Sequence, residues 1–260
     1  MDIVGNGFLA RNLRPLTDRH HDVVALAAGV SWASGTSEAD FARETALLRD
    51  TAEKCAADGR KLLFFSTAAT GMYGLAEGPG REDDPVTPCT PYGAHKLALE
   101  ELLRDSGADH LILRLGHLVG PDQPDHQLLP TLVRQLREGA VRVHRAAARD
   151  LIDVRDVVAV IDRLLALDLR AETVNVASGS AMPVTDIVDR LRSGLGLEAV
   201  YQFQDAGGQH VISVEKLRAL VPYVDSLNFG ADYHRRILAD FTRTFVSGHG
   251  GPVHGTKGVI

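Results

Sequence analysis

The sequence predicts an α/β protein built on a parallel sheet. Short apolar runs of strand length recur along it, at 3–4, 22–29, 61–65, 110–114 and 173–176. Between most of them lie longer stretches with apolar residues at helical spacing, and strands that alternate with helices argue for parallel pairing. A length of 260 residues, with 45% apolar and 24% charged, allows one large domain, or a domain with a smaller lobe.

Ile3-Val4 opens the chain, and Gly5-Asn6-Gly7-Phe8-Leu9-Ala10 follows at once. G-x-G-x-x-A between a strand and a helix is a dinucleotide fingerprint. Its glycines allow a tight turn and a close approach of backbone to a pyrophosphate at the helix start. That helix ends near Leu13, since Pro15 disfavours helix at the residue before it. The run 22–29 reads as a buried strand ending in Ala27-Ala28-Gly29. Ser37 fits an N-cap with Asp40 at N3. Phe41, Leu48, Ala52 and Cys55 then form a helical stripe that stops near Gly59. The strand 61–65 leads into Ser66-Thr67. A loop rich in Gly, Pro and acids spans 71–91, and good helix formers follow Tyr92. After the strand 110–114 come a Gly120-Pro121 loop, a helix over 128–138 and a longer one over 153–167, striped by Val157, Val160, Ile161 and Leu164. A short strand at 173–176 follows. The remainder to about Phe245 reads as a small mixed lobe, and the glycine-rich tail 247–260 is expected to be mobile. These boundaries predict a nucleotide-binding core over 1–120 and 150–178, and a substrate lobe over 121–149 and 179–246.

Net charge is −6, which points away from nucleic acid and from anionic membranes. Two cysteines, Cys55 and Cys89, make no disulfide framework, so a reducing cytoplasm is expected. Met1-Asp2-Ile3-Val4 leads into a structured pattern rather than a signal peptide, and no apolar run approaches the ~20 residues of a membrane span. No metal is expected.

The chemistry centres on Tyr92-Gly93-Ala94-His95-Lys96. Positions i and i+4 share a helix face, so Tyr92 and Lys96 present a phenol beside an ammonium. A nearby cation lowers a phenol's pKa and makes it a usable proton donor near neutral pH. A hydroxyl from Ser66 or Thr67 completes a proton-transfer trio.

Together these stretches resemble the extended short-chain dehydrogenase/reductase family of nucleotide-sugar epimerases, dehydratases and ketoreductases. Gly5-x-Gly7-Phe8-Leu9-Ala10 is similar to its G-x-G-F-I-G. Leu26-Ala27-Ala28-Gly29 resembles its H-x-A-A/G strand end, and Phe65-Ser66-Thr67 its S-S/S-T strand end. The segment from Arg81-Glu82-Asp83-Asp84-Pro85 to Pro91-Tyr92-Gly93-Ala94-His95-Lys96 resembles E-D-x-P…P-Y-x-x-S-K, with His95 in place of Ser. Residues 113–121, 149–157 and 174–179 resemble R-x-x-N-V-Y-G-P, R-D-F-I-x-V-x-D-V and Y-N-V-G-S-G. The resemblance implies a Rossmann-like sheet with NAD or NADP bound at Gly5, Gly7, Phe8, Leu9, Ala27, Ala28, Gly29 and Lys96. Tyr92 would be the general acid/base, and Lys96 would lower its pKa. Thr67, which precedes Tyr92 by 25 residues, would be the third member, with Ser66 the alternative. Arg149 would clamp a substrate diphosphate. Asn175 and His117 would also meet the substrate, and a homodimer would form through the helices near 37–58 and 92–106.

Two departures stand out. Only residues 14–21 separate Leu13 from Asp22, too few for a βαβ crossover, which needs at least about 10–12. Strands 2 and 3 of the family's 3-2-1-4-5-6 order are therefore expected to be missing, leaving the first strand as an edge and removing the residue that normally reads the ribose 2′ position. Glu44 stands where the family usually has Asn. The reading that fits best is an NAD(P)H-dependent ketoreductase for a nucleoside-diphosphate 4-keto-6-deoxy sugar, in resemblance most similar to dTDP-linked deoxysugar reductases. Ala68 and Ala69 replace the acids of a 4,6-dehydratase. A C4 epimerase with tightly held NAD, or a non-catalytic nucleotide-sugar-binding protein, are the alternatives.

Overall fold

The computed structural model describes residues 1–31, 35–68, 71–73, 78–205 and 211–248, without the side chains of 247 and 248. The expected mobile tail from 249 onward, Ala69, and residues 74–77 of the 71–91 segment lie outside the described residues. The strands are β1 (Asp2–Val4), β2 (Val23–Leu26), β3 (Lys61–Thr67), β4 (His110–Leu115), β5 (His117–Val119), β6 (Ala140–His144), β7 (Ala148–Asp153), β8 (Glu172–Val176), β9 (Ala181–Pro183) and β10 (Val200–Gln204). The helices are α1 (Phe8–Leu13), α2 (Glu38–Asp58), α3 (Pro91–Asp105), α4 (Leu128–Arg137), α5 (Val154–Ala166), α6 (Val184–Leu195), α7 (Glu215–Leu220), α8 (Tyr223–Ser226) and α9 (Ala231–Gly248).

The main sheet runs β1-β2-β3-β4-β8 and is parallel throughout. β1 ends it on one side and β8 on the other. β3 is buried along its whole length, as a parallel strand covered on both faces should be. Side chains alternate between the faces. Val24, Leu26, Leu62, Phe64 and Ile112 pack with Leu48, Ala52 and Cys55 of α2 and Leu99 and Leu103 of α3. Val23, Ala25, Leu63, Phe65, Leu111 and Leu113 belong to the larger core, with Leu13 and with Val157, Val160, Ile161 and Leu164 of α5. That core continues without a break into the later elements through Leu132, Val141, Ile187 and Phe241.

Local sequence explains where the site-bearing helices begin and end. The Ser37–Asp40 capping box starts α2, and Gly59 ends it at φ +64, a conformation that glycine adopts without steric cost. Thr90 caps α3 by accepting from Gly93 N at 3.0 Å, with Pro91 as the first helical residue. Pro fits there because that N–H has no helical partner. Tyr92 thus sits in the first turn, and Lys96 follows one turn later.

Two small sheets lie outside the expected pattern: β6 pairs with β10, and β7 lies between β5 and β9. β6 is only five residues long, with Val141 and Val143 inward and Arg142 outward, too short a repeat to distinguish from loop.

Candidate active site

Because β1, β2, β3 and β4 are parallel, their carboxyl ends open on one edge of the sheet, where ligands of open α/β folds bind. A cavity of about 520 Å³ lies there. It is lined by Gly7, Phe8 and Leu9 from the first turn, Ala27 and Gly29 after β2, Ser66 and Thr67 of β3, Tyr92 and Lys96 of α3, and His117 of β5. Ten of the sequence-predicted residues are therefore brought together.

Gly5 and Ala28 are not part of this lining, and they meet in the turn next to it, where a Cβ on Gly5 would lie 2.9 Å from Ala28 N. Gly5 has φ +130, and a Cβ there would lie 2.4 Å from Ala27 O. Only glycine keeps that turn closed. At Gly7 the place of a Cβ is open space, so backbone at the cavity wall is bare, as a pyrophosphate requires. These two positions fit a dinucleotide.

Lys96 does not point freely at the cavity. It is buried, and its Nζ donates to Glu44 Oε1 at 2.6 Å and to Phe65 O at 3.3 Å. Glu44 Oε2 also meets His95 Nε2 at 3.1 Å. Burial disfavours the Glu44 carboxylate, but His95, Lys96 and the Val30 backbone N–H outweigh it and hold its pKa down to about 2. Burial likewise works against the Lys96 ammonium, while Tyr92 and Glu44 favour it, and the net shift is upward. Gly29 makes the pairing possible, since a Cβ there would lie 2.3 Å from Glu44 Oε1 and 3.0 Å from Lys96 Nζ.

Tyr92 Oη donates to Val30 O at 3.2 Å. Burial pushes its pKa up, Lys96 pulls it down and Glu44 pushes it up, and the result lies above the ordinary phenol value. The expectation that Lys96 gives Tyr92 a lowered pKa is therefore corrected. Lys96 acts in the expected direction, but burial dominates and Glu44 opposes it.

The strand-end hydroxyls point opposite ways. Ser66 shares the α3 side of β3 with Glu100. Burial opposes the Glu100 carboxylate, yet Arg114, with Ser66 and Arg104, keeps its pKa below the usual range. Thr67 points to the other side of the strand and also lines the cavity.

Asn175 and Arg149 are not brought to this cavity. Asn175 is wholly buried. Its amide donates to Gly80 O at 3.1 Å and Ser213 O at 3.0 Å, and its oxygen accepts from Tyr73 Oη at 2.7 Å. Its expected contact with substrate is thus corrected: both N–H groups and the carbonyl are used in joining β8 to the Gly80–Ile212 bridge. Arg149, on β7, donates to Ala148 O at 2.8 Å. No carboxylate of the described residues pairs with it, and burial lowers its pKa.

Sequence reasoning missed His126, which lines the cavity and meets Ser31 Oγ at 3.0 Å. It carries no motif signal. It also missed what Glu44 does. Both Glu44 and His95 were visible as departures, but their contact exists only once α2 packs on α3.

Residues 10–177 match the family described as NAD dependent epimerase/dehydratase. The chain is 32% identical over 197 residues to a dTDP-6-deoxy-L-talose 4-dehydrogenase (NAD(P)(+)) from Kitasatospora kifunensis, covering 69% of this chain and 61% of that protein. It is 49% identical over 67 residues to a UDP-glucose 4-epimerase from Azospirillum brasilense, covering 24% of this chain and 19% of that one. The chain thus spans less than two thirds of the length of these curated relatives. Among solved structures, RMD from Pseudomonas aeruginosa complexed with NADPH superposes with a TM-score of 0.76 at 19% identity, covering 95% of this chain and 97% of that one. At that identity the likeness establishes the fold.

Proposed function

The chain belongs to the NAD dependent epimerase/dehydratase family, and from that premise we propose that it is an NAD(P)H-dependent ketoreductase of a nucleoside-diphosphate 4-keto-6-deoxy sugar. The observation that carries this reading is one cavity in which the Tyr92 phenol and the Thr67 hydroxyl share a wall with the bare Gly7 turn. A reductase needs a proton donor at the carbonyl. The 4-dehydrogenase relative, whose name places its chemistry at C4 of a dTDP-6-deoxy sugar, supports the substrate class.

In this reading Gly5, Gly7, Phe8, Leu9, Ala27, Ala28 and Gly29 would hold the dinucleotide. When bound, reduced nicotinamide supplies hydride to the carbonyl carbon. Thr67 and Tyr92 hold the carbonyl oxygen, and the Tyr92 O–H turns from Val30 O to that oxygen and releases its proton there. An ammonium has three donors, of which Glu44 and Phe65 take two. The third is left for a ribose hydroxyl. Ser66, which lines the same cavity, is the alternative to Thr67. In this reading His117 contacts the sugar, and Arg149, whose planar fork suits phosphate oxygens and which has no carboxylate partner among the described residues, is the candidate for the diphosphate. Among the described residues β1 is an edge of the main sheet, which supports a loosely surrounded adenosine and a cofactor that acts as a dissociating co-substrate. A second copy paired through α2 and α3 completes the assembly.

A C4 epimerase is the second reading, favoured by the 49% identical stretch. The deciding assay follows reduced-nicotinamide absorbance on adding a dTDP-4-keto-6-deoxy sugar, with NADH and NADPH in parallel. Loss of absorbance matched by alcohol product is expected. Protein that purifies with stoichiometric NAD, consumes neither cofactor and interconverts C4-epimeric nucleotide sugars would overturn the reductase.

A further inference from the structure

Two residues that break the family pattern meet in space. His95 replaces a Ser and Glu44 replaces an Asn, on different helices, and they lie 3.1 Å apart with Lys96 on the same carboxylate. Glu44 has only 1% of its side chain exposed. It reaches Lys96 over the bare Cα of Gly29, and Phe41 of its own helix stacks on His95 at 4.3 Å. The carboxylate also receives the Val30 N–H, while the Val30 carbonyl receives the Tyr92 proton. One acidic side chain therefore touches both the cation and the backbone unit that orient the phenol.

We propose that Glu44 is a positioning residue that offsets the charge of Lys96 at Tyr92, so that the phenol faces an ion pair rather than a free cation. The inference rests on the reading of Tyr92 as the acid of that site. A carboxylate in salt-bridge contact with the cation offsets its field at the phenol, because opposite charges so close act on a third group nearly as a dipole. The other groups around Tyr92 do not replace it. On α3 these are Lys96 and, one turn on, Glu100, whose charge is taken up by Arg114. Before α4 and on β5 they are His126 and His117, and β3 supplies only the hydroxyls of Ser66 and Thr67.

The test is a spectrophotometric titration of tyrosine, taken as the difference between each protein and its Tyr92→Phe counterpart. It needs neither cofactor nor sugar. In the wild type Tyr92 is expected to ionise above the ordinary value of about 10. In Glu44→Gln and in Glu44→Asn, which restores the family's residue, the uncancelled Lys96 should lower it by about one pH unit or more. Glu44→Asp keeps the charge and should stay near wild type. A wild-type Tyr92 that ionises below about 10 overturns the proposal without any Glu44 variant. So does an unchanged titration in either folded neutral variant, which would leave Glu44 a structural role alone. Failure of every keto-sugar to turn over would instead sink the reductase reading and leave the titration standing.

Discussion

Two buried polar clusters lie one helical turn apart on α3, and they do opposite things. Around Lys96, the acid Glu44 comes from α2, and the tyrosine, Tyr92, opens on the cavity. Around Glu100, the cation Arg114 comes from β4 with Nε and Nη2 both on the carboxylate, the latter at 2.8 Å. The tyrosine there is Tyr73, which accepts from Arg114 Nη1 at 2.9 Å and donates to Asn175. Burial raises the pKa of both tyrosines. A perturbed pKa is thus shared by a candidate catalytic group and a structural one. What separates them is closure: Tyr73 has donor and acceptor partners inside the protein, whereas among the described residues Tyr92 bonds a backbone carbonyl at 3.2 Å on the wall of the cavity.

The comparison breaks most clearly at Tyr92. Tyr92→Phe should lower the rate of keto-sugar reduction by about 10²–10⁴-fold, the usual worth of a positioned acid, with the thermal midpoint nearly unchanged. A near-wild-type rate would remove Tyr92 from the chemistry. Arg114→Met should do the reverse. It leaves Glu100, which is 0% exposed, with Arg104 as its remaining cation, and weakening the pairing of a buried charge should cost up to about 3–5 kcal/mol, read by denaturant unfolding. Stability close to wild type would show that the second cluster is not a structural unit.

A third effect concerns acid. Glu44 falls from 4.5 to about 2 in the folded state. A depressed carboxylate contributes stability that is fully present above its unfolded pKa and is lost as pH falls through its folded one, here between about 4.5 and 2. The contribution is about 3 kcal/mol, so Glu44→Gln should flatten that part of the stability–pH curve. An acid limb identical to wild type would show that the pair is not formed in solution. The smallest effect sharpens the comparison further. Gly29→Ala should cost about 1–3 kcal/mol by overpacking against Glu44, and should lower the Tyr92 titration in the same sense as Glu44→Asn. If it destabilises without moving that titration, the Gly29–Glu44–Lys96 contact does not reach the phenol.

Much of this was legible from residues alone. The run Lys61–Thr67, the stripe on α5, the Ser37–Asp40 box and Gly59 are local signals, governed by spacing and by which backbone angles a residue tolerates. The order of motifs from Gly5 to Lys96 carried the family and brought together most of the cavity's lining. Tertiary structure decided the rest, because desolvation and charge pairing depend on neighbours far apart in the chain. It turned Lys96 from a free cation into half of an ion pair, so that burial prevails at Tyr92. It enclosed Asn175 among Tyr73, Gly80 and Ser213, which no spacing could reveal. Glu44 and His95, separated by 51 positions, were two oddities in the sequence and became one site when α2 and α3 packed on the same face of the sheet.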